Sequence, residues 1–305
     1  MAKWNKKLDR SSKLLALFYS ILIVVPVYSL LGNAYYVDYL NGFLFLGALL
    51  VISIIALIFL IIFRRNKFKS LTLTLVIVWG LIFCSYEILL LDYEGHTYSA
   101  DGYREPEELL ENSGIHILVV GQSDIYYLED EEGVKDTYNK NGVQVLDMYK
   151  IKNRDRYRSK TTELKQFFGF GKEEDAFQVM RKNVRNYIDE DITFINEFLS
   201  RENLEGDSAG LALGLTAMIH QGNLVNKLPI GITGTLEANG DVMQIGAIKA
   251  KMMIAEQAGL LVAIIPLENR KEAEIVKEQQ GLTIEILAVS HIDEAALAIR
   301  ELNAR

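Results

Sequence analysis

The chain has 305 residues, half of them hydrophobic, with a mean hydropathy of +0.13 and 32 Lys and Arg against 40 Asp and Glu, a net charge of −8. Its one cysteine, Cys84, excludes an intramolecular disulfide framework, a cysteine-based zinc site and a CxxC redox motif. Residues 1–92 hold nine basic and four acidic residues, and the remainder 23 basic and 36 acidic, a balance that argues against nucleic acid as a partner.

Three apolar runs, at residues 14–31, 42–63 and 71–91, are each long enough to cross a ~30 Å hydrocarbon core at 1.5 Å per helical residue. They predict a membrane anchor of three transmembrane helices over residues 1–92, with the lipid bilayer as a partner. Lys3, Lys6, Lys7, Arg10 and Lys13 precede the first run. Arg64, Arg65, Lys67 and Lys69 lie between the second and third, and no basic residue lies between the first and second. The bias predicts a multi-pass protein of the cytoplasmic membrane, its N-terminus cytoplasmic and everything after residue 91 extracytoplasmic. The first run is read as an uncleaved anchor. The basic stretch followed by Gly32, Asn33 and Ala34 also fits a signal peptide, and the remaining topology is the same either way. Glu87 and Asp92, at the outer end of the third run, are read as interfacial.

Residues 93–170 are expected to form a juxtamembrane linker and a small extracytoplasmic α/β region. The polar stretch 92–114, with Gly95, Gly102 and Pro106, reads as a linker ending in a short helix at 106–112. Strands are expected at 115–120 and 143–151, a solvated loop at the acidic run from Glu129 to Glu132, and a solvated helix or loop over the basic stretch 149–165. A helix is expected over 172–188. Residues 171–305 then form the last domain, with a strand at 192–198 and a helix at 208–221. Strands at 229–236 and 241–245 flank a hairpin turn at Asn239 and Gly240. A helix at 248–258, a strand at 260–265, a helix at 268–280, a strand at 283–289 and a helix at 292–303 complete an α/β (α+β) domain.

No GxxxxGK[ST] occurs, and Gly210 to Gly214 does not make a dinucleotide fingerprint. His96, His116, His220 and His291 are scattered with no HExxH, so neither metal nor cofactor is expected. What stands out is Gly206-Asp207-Ser208-Ala209-Gly210, with Lys251 43 residues beyond Ser208. Ser208 opens a helix of small residues, where free backbone N–H groups and the positive dipole end suit a developing oxyanion. A simpler reading is that Ser208 or Asp207 caps that helix. At 100° per residue Lys251 falls on the apolar side of its helix with Ile248, Met252 and Ala255, while Lys249 falls on the opposite, solvated side. A desolvated lysine loses proton affinity and can serve as a general base. The alternative is a lysine stem that snorkels to water.

The segments EGDSAGLALGLTAM, LPIGITGTLEANGDVMQIGAIKAKMMIAEQAG, AIIPLENRKE and ILAVSHIDEAAL resemble the proteolytic domain of the Lon family of Ser–Lys proteases over about 100 residues. The family's nucleophile motif Gly-Pro-Ser-Ala-Gly reads GDSAG here, and its Gly-Gly-Leu-Lys-x-Lys element reads Gly246-Ala247-Ile248-Lys249-Ala250-Lys251. The resemblance implies Ser208 and Lys251 as catalytic residues, with Thr233 and Glu205 in support and Thr233 bonded to Lys251, and Asp207 is taken with them as a supporting residue of this chain. It implies Gly206, Ala209 and Gly210 as the backbone that meets the oxyanion and the substrate. Two positions depart from the pattern: Asp207 replaces proline and brings a carboxylate beside the nucleophile, and Ala247 replaces glycine, with tighter packing expected. The whole resembles membrane-anchored Lon-like proteases that lack the ATPase module. That implies an ATP-independent serine endopeptidase acting on flexible polypeptide segments, and homo-oligomerisation by the family's habit of forming rings. The alternative is a domain whose dyad Asp207 has disabled, serving as a membrane-tethered peptide-binding or assembly module.

Overall fold

The computed structural model describes residues 9–128, 130–170, 176–188, 192–202 and 204–305. In chain order the elements begin with helices α1 (Arg10–Tyr36), α2 (Gly42–Ile62), α3 (Lys67–Glu87) and α4 (Leu90–Tyr93). Strands β1 (His96–Gly102), β2 (Ile115–Ile117) and β3 (Gly121–Tyr126) follow, then α5 (Glu131–Lys140), β4 (Val145–Lys150), α6 (Asn153–Phe167), α7 (Ala176–Tyr187) and α8 (Thr193–Leu199). The C-terminal part runs α9 (Gly210–His220), β5 (Ile230–Ile232), β6 (Thr235–Leu236), β7 (Val242–Met243), α10 (Ile248–Gln257) and β8 (Val262–Pro266). A short 3₁₀ turn leads to α11 (Arg270–Gln280), β9 (Glu285–Val289) and α12 (Ile292–Asn303). The chain divides into two compact units, residues 1–97 with 150–170 and residues 98–149 with 171–305.

In the first unit, α1, α2 and the stretch of α3 and α4 are long and apolar enough to cross a membrane. Each of the three helices starts at a side chain that fills an orphan N–H: Asp9 accepts from Ser12, Asn41 from Leu44 and Asn66 from Lys69. Helix α6 belongs to this unit, and it corrects two expectations. The stretch 149–165 is not merely solvated, because Lys160 is fully buried, and Glu87 is not interfacial but equally buried. Their side chains pair at 2.5 Å. The Tyr28 hydroxyl donates to the same carboxylate, and Nζ of Lys160 lies 4.1 Å and 4.0 Å from the ring centroids of Tyr86 and Tyr157. An ion pair taken wholly from water persists only when its remaining lone pairs and protons are met in this way.

The second unit is built on a four-stranded parallel sheet of order β2-β5-β8-β9. Successive side chains of β8 alternate between its faces. Val262 and Ile264 join α7, α8, α9 and α12 in one core, while Ala263 and Ile265 join α10 and α11 in another. Beside it lie a three-stranded sheet of order β3-β1-β4 and the β6–β7 hairpin, which turns at Asn239 and Gly240. This is a mixed α/β fold following three apolar helices.

Several local expectations give way to tertiary context. The stretch 92–114 contains β1, the middle strand of its sheet, and residues 106–112 are not helical: Glu107 bridges Ile117 and Asn112 takes φ 63° in a turn. The acidic run is not a loop, since Asp130 caps α5 and Glu131 and Glu132 occupy its first turn, where carboxylates complement the helix dipole. Glu129, residues 172–175 and residue 191 lie outside the described residues. The strand expected at 192–198 is the helix α8, which buries Ile195, Phe198 and Leu199 at helical spacing. Strands at 115–120 and 229–236 are shorter than expected, and β3 adds a strand that no expectation covered.

Candidate active site

The segment from Leu204 to Ala209 enters α9 as an irregular turn in which Gly206 takes φ +83°, a left-handed conformation that glycine adopts without a Cβ penalty. The helix begins at Gly210, and its cap residue is Ala209, which offers no capping side chain. The capping reading of Ser208 or Asp207 therefore does not hold. Gly210 is required for contact: a Cβ there would lie 2.9 Å from the Leu236 nitrogen on β6.

The turn is strapped to the chain after β5. The Ser208 carbonyl accepts from the Gly234 N–H at 2.7 Å and from the Thr233 hydroxyl at 3.2 Å, and the Leu211 N–H donates to the Gly234 carbonyl at 2.9 Å. Thr233 thus bonds the Ser208 carbonyl, where the resemblance implied a bond to Lys251. Among the described residues the N–H groups of Ser208 and Ala209 make no hydrogen bond, whereas that of Gly210 already donates to the Asp207 carbonyl at 3.2 Å. Free donors therefore sit at Ser208 and Ala209, and Gly210 contributes by closeness rather than by its N–H.

Lys251 lies in the second turn of α10, among the buried residues Ile248, Ala250, Met252, Ile254 and Ala255. It is 4 % exposed, so its stem does not reach solvent as a snorkelling lysine would. Burial pulls its pKa down to about 8, against the opposing fields of Asp207 and Asp101. Nζ makes no hydrogen bond or ion pair with a described residue. Lys249, on the other side of the helix, is not simply solvated: its Nζ pairs with Asp147 at 2.6 Å.

The start of α10 is fixed by two features that sequence reasoning did not find. Asn269 is fully buried, accepting from the Ile245 N–H at 2.9 Å and donating to the Ile245 carbonyl at 3.0 Å. Ala247, the helix cap, takes φ 57° and ψ 35°, so the position expected only to tighten packing instead holds a side chain in the left-handed region.

Ser208 and Lys251 open onto one cavity of about 530 Å³ within the second unit. Val119, Phe177, Met180, Phe198 and Leu204 form apolar wall, while Glu205, Asp207, Asp147 and Asp101 bring carboxylates. Asp101 was not anticipated. It sits on β1 in a polar stretch whose composition gives no sign of burial, yet it is 4 % exposed and its Oδ1 has no hydrogen-bond partner among the described residues. Burial and Asp147 raise its pKa, and Lys251 and Lys249 act in the opposite sense.

The arrangement is a hydroxyl on a turn with two unpaired N–H groups, lining the same space as a buried lysine. Residues 202–300 match the model of the Lon protease (S16) C-terminal proteolytic domain, and this part of the chain is a Lon-type proteolytic domain. Among its relatives are the Lon proteases of Trichlorobacter lovleyi, 35% identical over 94 residues, Brevibacillus choshinensis, 32% over 90 residues, and Dictyoglomus thermophilum, 33% over 101 residues. These matches take in 30–32% of this chain and 11–13% of the length of those relatives.

Proposed function

We propose that the chain is a membrane-anchored, ATP-independent serine endopeptidase that uses Ser208 as nucleophile and Lys251 as general base. The observation that carries the reading is Lys251, buried in the wall of the cavity that Ser208 also lines, with a pKa near 8. At neutral pH an amine of that pKa is partly unprotonated, so it can accept a proton without help from a metal or cofactor.

In this reaction neutral Nζ of Lys251 takes the proton of the Ser208 hydroxyl as Oγ attacks a peptide carbonyl. The oxyanion rests on the N–H groups of Ser208 and Ala209, at the positive end of α9. The Lys251 ammonium returns its proton to the departing amine, leaving an acyl-serine. Water then attacks the ester with Lys251 again as base, releasing the acid and restoring Ser208. The bonds from Thr233 and Gly234 to the Ser208 carbonyl hold the nucleophile's peptide still throughout.

The asymmetry of basic residues around the apolar helices supports an extracytoplasmic domain, where nucleotide is scarce. The proposed substrates are segments already unfolded, such as loops and tails of membrane or exported proteins, which reach the cavity without nucleotide-driven unfolding. The test is a comparison of wild type with Ser208→Ala in membranes, reading peptide fragments of membrane and exported proteins by mass spectrometry. Fragments that appear only with wild type support the reading. Equal fragments, or equal cleavage by purified Ser208→Ala, overturn it. Absence of both cleavage and covalent labelling at Ser208 in wild type marks a peptide-binding module instead.

A further inference from the structure

Among the described residues, Asp101 is the one buried charge of the cavity to which the proposed chemistry gives no role. It comes from β1, outside the matched residues 202–300, and it faces the same space as Ser208 and Lys251. The other charged groups around that space have other engagements or positions. Asp147 on β4 is paired with Lys249 on α10 at 2.6 Å. Asp207, whose field on Lys251 is the larger but which is only half-buried, and the exposed Glu205 belong to the turn that carries Ser208, and Glu272 on α11 lies 3.4 Å from Asn269. That leaves two buried residues of opposite sign lining one cavity, Asp101, whose Oδ1 has no hydrogen-bond partner among the described residues, and Lys251. A buried carboxylate without donors is costly, and a cation sharing its cavity is what makes it tolerable.

We propose that Asp101 is a positioning residue of the site that acts through Lys251, balancing the charge that Lys251 gains when it takes the hydroxyl proton. The inference rests on the Ser208–Lys251 reading and adds to it a member from outside the Lon-type domain. The physical reason is the change of charge during the reaction. Lys251 begins neutral and becomes an ammonium in a site it shares with apolar walls, so a fixed carboxylate favours the transition state more than the ground state. It also gives residues 98–149 a function: their β3-β1-β4 sheet carries the charge into the cavity.

A competing use of the same carboxylate is recognition of a cationic substrate side chain. The depth of Asp101, and the fact that both lysines of the cavity act on it, favour the role toward Lys251. The experiment separates the two. The full chain in detergent is reacted with a small uncharged fluorophosphonate between pH 6 and 10, and the rate of adduct formation at Ser208 is followed by mass spectrometry. Wild type should show a rate that rises through pH 8. In Asp101→Asn the plateau should fall at least ~10-fold, since general-base contributions run to about 10²–10⁴-fold. The rising limb should also move to lower pH by roughly one unit, because removal of a carboxylate lets the amine shed its proton sooner. Asp101→Glu, which keeps the charge, should restore part of the rate and move the limb back. A purely structural role would lower the rate without moving the limb. Asp101→Ser, which removes charge and bulk together, carries the same expectation if the asparagine variant does not fold.

Unchanged rate and limb in a folded Asp101→Asn chain would overturn the proposal. So would a variant that is labelled normally but fails only on peptides with Lys or Arg, which assigns Asp101 to the substrate. Failure of the underlying dyad is visible separately, as a wild-type chain that is not labelled at Ser208 at all.

Discussion

Replacing Lys251 by Met removes the amine but keeps the length of its stem, and it should end the chemistry of the second unit and take one pH-dependent term out of its stability. The folded pKa of about 8 lies below the ordinary 10.5, so the unfolded chain binds more protons over the window between them. Stability due to this group therefore rises with pH from about 8 to 10.5 and is at its lowest below 8. At pH 7 the burial of Lys251 costs about 3 kcal/mol, and at pH 9.5 about 1.5 kcal/mol, taking ~1.4 kcal/mol per pKa unit. Lys251→Met lacks that pH-dependent term, so the stability of wild type relative to the variant should rise by about 2 kcal/mol between pH 7 and 9.5. For a unit of this size that is a change of about 4–8 °C in the Tm difference. The assay is thermal unfolding of both chains in detergent at the two pH values, followed by near-ultraviolet circular dichroism. A Tm difference that is independent of pH would refute the reasoning that Lys251 is held near neutrality by burial.

Three further outcomes follow from the packing. Lys160→Ala should destabilise the first unit by about 3–5 kcal/mol, because it leaves the Glu87 carboxylate buried without its cation, and the double change Glu87→Leu with Lys160→Met should recover most of the loss in detergent unfolding. Ala247→Gly should stabilise by roughly 0.5–1 kcal/mol, since it relieves a left-handed Ala at the cap of α10, and denaturant titration of the second unit reads it directly. Asn269→Ala should cost about 2 kcal/mol by orphaning the N–H and carbonyl of Ile245, and it should lower labelling of Ser208 because that segment leads into the helix of Lys251.

The parts of the fold that were legible in the sequence are those with a dominant local signal. The apolar runs needed only length and composition, and the alternation of strands and helices after residue 228 followed from periodicity. Helical geometry placed Lys251 on the apolar side of its helix beside Ile248 and Met252, where it is buried, whereas the pairing of Lys251 with Ser208 came from the family resemblance and not from local geometry. What stayed hidden depends on partners far along the chain. Nothing near Asp101 in sequence says that β3 and β4 will flank it and close it from water. Lys160 looks like one cation among many in a basic stretch until Glu87 and three tyrosines surround it. The helix α8 was mistaken for a strand because a short run of Ile and Phe satisfies both periods, and burial against α7 and α9 decided the outcome. Thr233 was rightly placed near the site but given the wrong partner, since only the path of the chain shows that its hydroxyl meets the Ser208 carbonyl.

The central claim, an uncharged Lys251 activating Ser208, is tested most directly by mapping a fluorophosphonate adduct across pH in wild type and Lys251→Met. The claim predicts an adduct on Ser208 that forms at half its maximal rate near pH 8 in wild type and is lost in the methionine variant. An adduct on another serine, or one that forms on Ser208 equally well without the lysine, would contradict it.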